Sequence, residues 1–348
     1  MVIPTPRNAA SERPDYTLLT ISRFFAALWV VILHLEILVP AIGAGASRMI
    51  HNPFAKMGFL GVSFFYVLSG FILGKLYKDP VIDVRQFYLK RFLRIYPSYF
   101  LIVFAIICIP FFVFPRTLAF CAPVLLLFNA WVPSMSQNVL GPAWSLTCEA
   151  FFYIVYPFVY RGVLKPSRLM TGFIISLTFV PSIFVLVGKG LDPTGVLVYF
   201  PLMHFPSFLV GILFAGFKPI PGKLFYAFVG CMGSIAFAKF LVHDGIPFKV
   251  GLAALPFAFL IWALASSNQP DASNRFIKVL ILQGNASYVL YLIHFPILVY
   301  LRSVGMLNSP VDAILAILIV IASATGLYVA FDRPIHSWSG RLLRRKNS

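Results

Sequence analysis

The stretch that decides the fold is residues 17–38, which read TLLTISRFFAALWVVILHLEIL. An α-helix needs about 20 predominantly apolar residues to cross the hydrocarbon core of a bilayer. This stretch is long enough, and its only formally charged residues are Arg23 and Glu36. It is also too long for the apolar core of a cleaved signal peptide, and the sixteen residues before it are polar. We therefore predict a retained transmembrane helix.

The rest of the chain has the same apolar character. Of the 348 residues, 60% are hydrophobic and 11% are charged, whereas soluble proteins carry about 45–50% apolar and about 25% charged residues. This composition excludes a soluble enzyme, a disordered chain and a soluble nucleic-acid binder. The four cysteines are scattered through apolar stretches without metal-ligand spacing, so we predict that they are small buried residues and that there is no metal site. The predicted fold class is all-α, a polytopic transmembrane helical bundle forming one domain over 1–348.

Hydropathy predicts about ten spans and leaves one ambiguous segment. Residues 118–132 are apolar but short, and they include Pro123. The ten predicted spans lie near 17–38, 57–77, 95–114, 143–160, 170–188, 196–217, 222–242, 247–267, 282–302 and 311–331.

The basic residues decide the orientation of these spans. With the N-terminus inside and 118–132 not spanning, 21 of the 28 Lys and Arg residues fall on the cytoplasmic side, as the positive-inside rule favours. If 118–132 crossed the membrane, the basic segment 161–168 and the Arg-rich end of the chain would face outward. We therefore predict ten helices with both termini cytoplasmic. The segments 1–16 and 337–348 are cytoplasmic tails, and 118–132 is re-entrant or lies at the outer interface.

Ionisable residues within spans are costly and therefore mark candidate functional sites. Arg23 and His34 are eleven residues apart in the first span. Eleven residues of α-helix turn both side chains to about the same face and separate them by about 16 Å along the axis. Two structural alternatives compete with a catalytic interpretation: Arg23 extends to lipid headgroups, and His34 forms an interhelical hydrogen bond.

The second ionisable candidate is Glu149, which follows Trp144-Ser-Leu-Thr-Cys in the predicted span 143–160. In the predicted topology, Glu149 lies at about the depth of His34. A carboxylate beside an imidazole orients it and favours its protonated form, so this pair suggests proton-transfer chemistry. The alternative is a carboxylate satisfied by the backbone or by Trp144.

A basic run precedes the third predicted span and reads YLKRFLRIYP over residues 88–97. Arg91 and Arg94 are three residues apart and share a helix face, and Lys90 and Arg94 are four apart. Guanidinium groups suit phosphate oxygens, so the run suggests a cytosolic ligand with several phosphates, of which coenzyme A is one. Topology-determining charges in contact with anionic lipid are the alternative.

Two further segments combine small and polar residues within spans. GFLGVSFFYVLSGF over residues 58–71 holds Ser69 at mid-membrane, and its glycines allow close helix approach. SYVLYLIHFP over residues 287–296 holds Tyr288 and His294 just before a proline. Helix packing is the alternative role for Ser69 and Tyr288.

Taken together, these segments resemble the acyltransferase-3 family of integral membrane acyltransferases, over about residues 16–335. The resemblance rests on their combination in this order: Arg23 and His34 in the first helix, the Gly-x-x-Gly-Val…Leu-Ser-Gly-Phe helix, the Lys-Arg-x-x-Arg-Ile-x-Pro run, the Trp-Ser-Leu-x-x-Glu helix and the Ser-Tyr…Tyr-Leu-x-His-x-Pro helix. The chain resembles the stand-alone members of the family, which have no SGNH-type domain.

The resemblance implies an O-acyltransferase of the bacterial cytoplasmic (inner) membrane. It would move an acyl group, most often acetyl, from cytoplasmic acyl-CoA to a hydroxyl of a carbohydrate or lipid-linked glycan. It implies acyl-CoA as a donor substrate with no tightly bound cofactor. By residue, it implies catalytic roles for His34 and Glu149, binding of CoA phosphates by Arg23, Lys90, Arg91 and Arg94, and a substrate site formed by Ser69, Trp144, Tyr288 and His294.

Other interpretations remain open at this point. His34 either removes a proton from the acceptor hydroxyl or itself carries the acyl group. An intramembrane His and Glu are also compatible with a proton-coupled transporter of an anionic or sugar substrate. However, the sequence shows no pair of corresponding interrupted segments in two halves. A structural subunit of an export complex would explain neither His34 nor the basic run.

Overall fold

A computed structural model describes residues 16–39, 52–77, 83–112, 117–132, 141–163, 199–218 and 249–345, together with single positions 135, 230 and 233. Within these residues every regular element is a helix, which confirms the all-α prediction. The α-helices are α1 (Thr17–Leu38), α2 (Pro53–Lys56), α3 (Leu60–Leu76), α4 (Val84–Cys108), α5 (Leu118–Leu125), α6 (Trp144–Val163), α7 (Pro201–Ala215), α8 (Lys249–Ser266), α9 (Arg275–Ser303), α10 (Pro310–Leu327) and α11 (Arg333–Arg345).

Short turns join some of these helices into longer units. The 3-10 turn Met57–Phe59 links α2 to α3, and the π-helical turn Tyr328–Asp332 links α10 to α11. Five helical segments of the described chain are long and apolar enough to cross a membrane: Thr17–Leu38, Pro53–Leu76, Val84–Cys108, Arg275–Ser303 and Pro310–Arg341.

Three other predicted spans coincide with α6, α7 and α8. These helices are not among the five segments that are long and apolar enough to cross a membrane within the described residues. The predicted span 170–188 lies outside the described residues, and so does 222–242 apart from two single positions. Ten spans with both ends cytoplasmic therefore stay a prediction.

The helices extend beyond the apolar stretches that predicted them. α4 begins at Val84 rather than near residue 95, and the Asp83 carboxylate caps it by accepting a hydrogen bond from the Gln86 N–H at 3.0 Å. α9 begins at Arg275 rather than near residue 282. Hydropathy marks the part of a helix that suits lipid, whereas side-chain capping decides where the helix starts. The basic run is therefore helical throughout.

The ambiguous segment 118–132 is only partly α-helical. α5 has eight residues, about 12 Å by helix rise, which is short of the bilayer core. A residue of positive φ, Leu127, and the 3-10 turn Asn129–Trp131 follow it. The re-entrant or interfacial placement of this segment stays a prediction.

Close helix contacts at glycine set the arrangement of the helices that carry the candidate residues. A Cβ added to Gly284 of α9 would overlap the backbone carbonyl of Thr20 in α1. The same is true of Gly70 in α3 against the Phe208 carbonyl of α7. Small residues let helix backbones approach closely in membranes. The α1–α9 contact brings the helix with Arg23 and His34 against the helix with Tyr288 and His294.

Candidate active site

A cavity of about 520 Å³ lies among α1, α3, α4, α6 and α9 and reaches the π-helical turn and α11. Its volume falls within the roughly 300–1,000 Å³ typical of ligand pockets. Six of the ten predicted site residues line it: Arg23, Ser69, Arg91, Arg94, Glu149 and Tyr288. The cavity therefore brings together predicted site residues that are up to 265 positions apart in the sequence.

Three arginine side chains give this cavity its positive charge. The described residues contain two ion pairs, Lys56–Glu36 and His336–Asp332, and neither involves Arg23, Arg91 or Arg94. The Arg91 Nε is buried without a hydrogen-bond partner. The three guanidinium groups thus share a cavity with Glu149 and Asp332, and no described carboxylate lies at salt-bridge distance from any of the three.

Aromatic faces hold Arg91 in place of a carboxylate. Its guanidinium lies over the rings of Phe87 and Tyr153, 5.8 and 5.6 Å from their centroids. Cation–π contacts of this kind orient a guanidinium while leaving its N–H donors available. The arrangement suits a ligand with several anionic oxygens.

Glu149 belongs to a polar cluster with Ser69 and Tyr153. Its Oε1 accepts hydrogen bonds from Ser69 Oγ at 3.2 Å and from the Tyr153 hydroxyl. Ser69 Oγ also lies 3.0 Å from the Tyr153 hydroxyl. Arg23 is within electrostatic range of Glu149, although not at salt-bridge distance. The cluster joins α3 to α6 on the cavity wall.

His34 and His294 form a direct pair at the other end of α1. His294 Nε2 lies 3.2 Å from His34 Nδ1, and the ring centroids are 4.9 Å apart in a T-shaped arrangement. Neither residue lines the cavity, but the His294 ring is 5.7 Å from that of Tyr291, which does. The structure thus brings together two histidines that the sequence analysis assigned to separate roles.

His34 and Glu149, which are predicted to lie at about the same depth, have separate partners. The described polar contacts of His34 are the Val30 carbonyl and His294, whereas those of Glu149 are Ser69 and Tyr153. Equal depth in the membrane does not determine contact, because two helices present their residues in different directions around their axes. The carboxylate and the imidazole therefore make no direct contact among the described residues, and the catalytic roles of His34 and Glu149 stay predictions.

Two predicted site residues, Lys90 and Trp144, lie outside the cavity lining. Lys90 Nζ donates a hydrogen bond to Gln86 Oε1 at 2.6 Å on the same helix. Lys90 is absent from the cavity lining although it shares a helix face with Arg94, four residues along α4. The Trp144 ring packs against Tyr199 and His204, with both centroids at 5.1 Å.

Other polar residues of the cavity were missed by the sequence analysis. Asp332 is buried, accepts a hydrogen bond from Ser98 Oγ at 2.5 Å and pairs with His336 Nε2 at 3.2 Å. Both Asp332 and His336 line the cavity. The available signal was two ionisable residues four positions apart, since this spacing places them on one helix face.

A second missed group is a hydroxyl cluster at the opposite end of the cavity. Ser145 Oγ donates to the Pro142 carbonyl at 2.9 Å and lies 2.7 Å from the Tyr291 hydroxyl. The Tyr66 hydroxyl donates to the Ser145 carbonyl at 3.3 Å. The cavity thus extends from its arginines to hydroxyl groups next to the histidine pair.

Comparison with known proteins identifies relatives of this chain. Acyltransferase MdmB of Streptomyces mycarofaciens is 29% identical over 313 residues, which is 81% of this chain and 79% of that protein. O-acetyltransferase OatA of Staphylococcus aureus is 26% identical over 321 residues, which is 81% of this chain and 50% of that protein.

Peptidoglycan O-acetyltransferase OatA of Listeria monocytogenes is 23% identical over 298 residues, which is 74% of this chain and 47% of that protein. The chain thus spans about half the length of these OatA proteins. No solved structure matches the chain. A family model described as an acyltransferase domain, that of the acyltransferase-3 family, matches residues 18–333. Because this match extends over most of the sequence and over the whole arginine-lined cavity except Tyr16 and His336, the chain belongs to the acyltransferase-3 family.

Proposed function

We propose that this membrane protein transfers an acyl group, most simply acetyl, from acyl-CoA to a hydroxyl of a cell-envelope or exported carbohydrate. Membership of the acyltransferase-3 family supports acyl transfer. Relatives named O-acetyltransferases, one of them a peptidoglycan O-acetyltransferase, support a carbohydrate acceptor. The bacterial cytoplasmic membrane is the proposed location, with both termini on the cytoplasmic side.

The observation that carries the proposal is the set of three arginines, Arg23, Arg91 and Arg94, around one cavity. Cationic side chains that line a cavity without a carboxylate at salt-bridge distance keep N–H donors available for a ligand that supplies the counter-charge. Coenzyme A carries several phosphate groups, and guanidinium forks bind phosphate oxygens in a bidentate manner. We assign the arginine-lined end of the cavity to the phosphates of the donor.

The positions of the lining residues support entry of the donor from the cytoplasm. Tyr16 lies just before α1, Leu76 ends α3, and Arg91 is in the first third of α4. Successive membrane spans run in opposite directions, so the start of α1, the end of α3 and the start of α4 belong to the same side. In the proposed topology that side is cytoplasmic.

His34 would act as the base at the far end of the donor path. By helix rise it lies about 16 Å from Arg23 along α1, a distance suited to the long pantetheine arm of CoA. His34 takes the proton of the acceptor hydroxyl while its oxygen attacks the thioester carbonyl. The carbon–sulfur bond then breaks, the ester forms and the CoA thiolate leaves. Glu149 supports catalysis by holding Ser69 and Tyr153 on the cavity wall.

The test uses the full chain purified in detergent and reconstituted in lipid vesicles. Acetyl-CoA binding is measured by calorimetry, and CoA release is followed with a thiol reagent in the presence of soluble peptidoglycan fragments as the acceptor probe. We expect binding that weakens in Arg91→Gln and release that depends on both the acceptor and His34. Absence of acetyl-CoA binding, or substrate uptake by the vesicles without CoA release, would contradict the proposal.

The acceptor is identified separately by analysing cell-envelope glycans of a strain that lacks the protein. The proposal predicts a missing ester group, and the position of that ester names the acceptor. An unchanged ester content across the glycans and exported carbohydrates would contradict a carbohydrate acceptor, while leaving the donor assignment to the binding experiment.

A further inference from the structure

We propose that His294 is a positioning residue that holds His34 in the tautomer with a proton on Nδ1 and an unprotonated Nε2. The catalytic meaning of this arrangement rests on the proposed function, in which His34 is the base. The tautomer itself rests only on the geometry of the pair. Four polar contacts at the α1–α9 interface carry the inference.

The first two contacts determine the proton position on His294. Its Nδ1 lies 2.7 Å from the Tyr291 carbonyl oxygen and 3.2 Å from that of Leu290. A carbonyl oxygen only accepts hydrogen bonds, so a lone pair on Nδ1 would face two other lone pairs. His294 Nδ1 must therefore carry the proton and donate it. In a neutral imidazole the other nitrogen is then an acceptor, so His294 Nε2 presents its lone pair to His34.

The other two contacts determine the proton position on His34. Its Nδ1 lies 2.9 Å from the Val30 carbonyl oxygen and 3.2 Å from His294 Nε2. Both neighbours are acceptors, so His34 Nδ1 carries a proton that the two acceptors share. The remaining nitrogen of the neutral ring, His34 Nε2, is then unprotonated and available as a base.

His294 fixes the His34 ring from a second helix, which the Val30 carbonyl alone does not do. Val30 belongs to the same helix as His34 and precedes it by four residues, so its carbonyl moves with the ring. His294 is fully buried on α9 and is fixed by its own backbone contacts. A second acceptor on another helix fixes the ring against rotation, which would exchange the positions of the two nitrogens. Catalytic and metal-binding histidines are commonly oriented by such a second group.

The chain of contacts ends on backbone carbonyls rather than on a carboxylate. Among the described residues, no Asp or Glu contacts either histidine; the other rings beside the pair are Phe295, with its centroid 5.2 Å from that of His34, and Tyr291. The imidazolium formed during transfer would therefore be stabilised by the Val30 carbonyl and His294 Nε2. His294 orients the base without itself becoming protonated.

The direct test is nitrogen NMR on the full-length protein with ¹⁵N-labelled histidine in lipid nanodiscs, at a pH at which the rings are neutral. The His34 signals are assigned by their loss in His34→Ala. We expect a protonated Nδ1 and an unprotonated Nε2 for His34, and a mixture of tautomers in His294→Leu. A protonated Nε2 in the wild type, or an unchanged His34 spectrum in His294→Leu, would overturn the proposal.

A kinetic test separates hydrogen bonding from packing. His294→Leu should lower kcat by about 10²-fold, within the range for general-base and tautomer effects, while the KM for acetyl-CoA changes less than about twofold. His294→Gln keeps an acceptor in its side-chain carbonyl, so its kcat should be at least tenfold higher than that of His294→Leu. Phe295→Leu alters packing on the His34 ring without contacting Nδ1, so it is the matched control. Its kcat should fall much less than that of His294→Leu.

Equal losses in His294→Gln and His294→Leu would overturn the positioning role. If His294→Leu does not fold, His294→Gln carries the NMR test, and a protonated Nε2 on its His34 overturns the proposal. If the wild-type protein transfers no acyl group, the proposed function fails, but the NMR result still decides the tautomer. The two failures are therefore distinguishable.

Discussion

The two ends of α1 differ in whether their charged or basic side chains have partners within the protein. At the Arg23 end, three guanidinium groups surround a cavity, and no described carboxylate lies at salt-bridge distance from any of them. At the His34 end, the polar atoms of the histidine pair contact one another and backbone carbonyls. One end leaves its charges for a ligand, whereas the other satisfies the nitrogens of the histidine pair, except Nε2 of His34, within the protein.

This difference indicates a division between binding and chemistry. A binding site for a polyanion works by leaving cations unpaired until the ligand arrives. A reacting base works by having its orientation fixed before the substrate arrives. Because both groups lie on one helix, about 16 Å apart by rise, α1 couples the position of the donor phosphates to the position of the base.

The largest effect is expected from removing the base. His34→Ala should reduce acyl transfer by about 10²–10⁴-fold, the range for loss of a general base, because it removes Nε2 of His34, the atom that takes the proton of the acceptor hydroxyl. Acetyl-CoA binding should remain, since the arginines are at the other end of α1. Calorimetry and CoA-release rates measure the two properties separately. Turnover within about tenfold of the wild type would show that the base is elsewhere.

The next largest effect is expected at the arginine end. Arg91→Gln should weaken acetyl-CoA binding by about 10–100-fold, since charge-assisted hydrogen bonds contribute about 1.5–3 kcal/mol. Arg302→Gln is the matched control, because the Arg302 side chain donates to the Leu38 carbonyl and does not line the cavity. Arg302→Gln should bind acetyl-CoA with the affinity of the wild type. Equal binding by both variants would mean that Arg91 only supports topology.

A smaller effect is expected from separating the helices that carry both ends. Gly284→Ala should lower the free energy of unfolding by about 1–3 kcal/mol, because its Cβ would overlap the Thr20 carbonyl of α1. Gly326→Ala is the control, since a Cβ there has no neighbouring atom within 4 Å. Thermal unfolding in detergent compares the two. A Tm of Gly284→Ala equal to that of Gly326→Ala would show that α1 and α9 tolerate separation.

The sequence predicted much of the fold because apolar runs are long and unmistakable in a membrane protein. Residues 17–38 were predicted as one helix, and α1 is Thr17–Leu38. Starts such as Val84 and Arg275 were missed because capping by Asp83 and Asn274 lies outside the apolar runs. Hydropathy reports which residues suit lipid and says little about how far the helix continues into polar surroundings.

The site was predicted in part, and the errors have a common physical origin. Arg23, Arg91 and Arg94 share a cavity as expected, because charge and helical spacing identify them within single helices. The contact of His34 with His294 was not predicted, because contact between helices depends on their rotation and packing. The Gly284–Thr20 contact that brings His294 to His34 cannot be read from either segment alone.

The smallest effect is expected at Lys90, next to Arg91 in the sequence. Its Nζ donates to Gln86 within α4, and the residue does not line the cavity. Lys90→Gln should therefore change acetyl-CoA affinity by less than about twofold, although it removes the same charge as Arg91→Gln. Binding of both variants at two salt concentrations measures the difference. A loss as large as that of Arg91→Gln, which disappears in high salt, would mean that long-range attraction by the basic run and not the cavity wall recognises the donor.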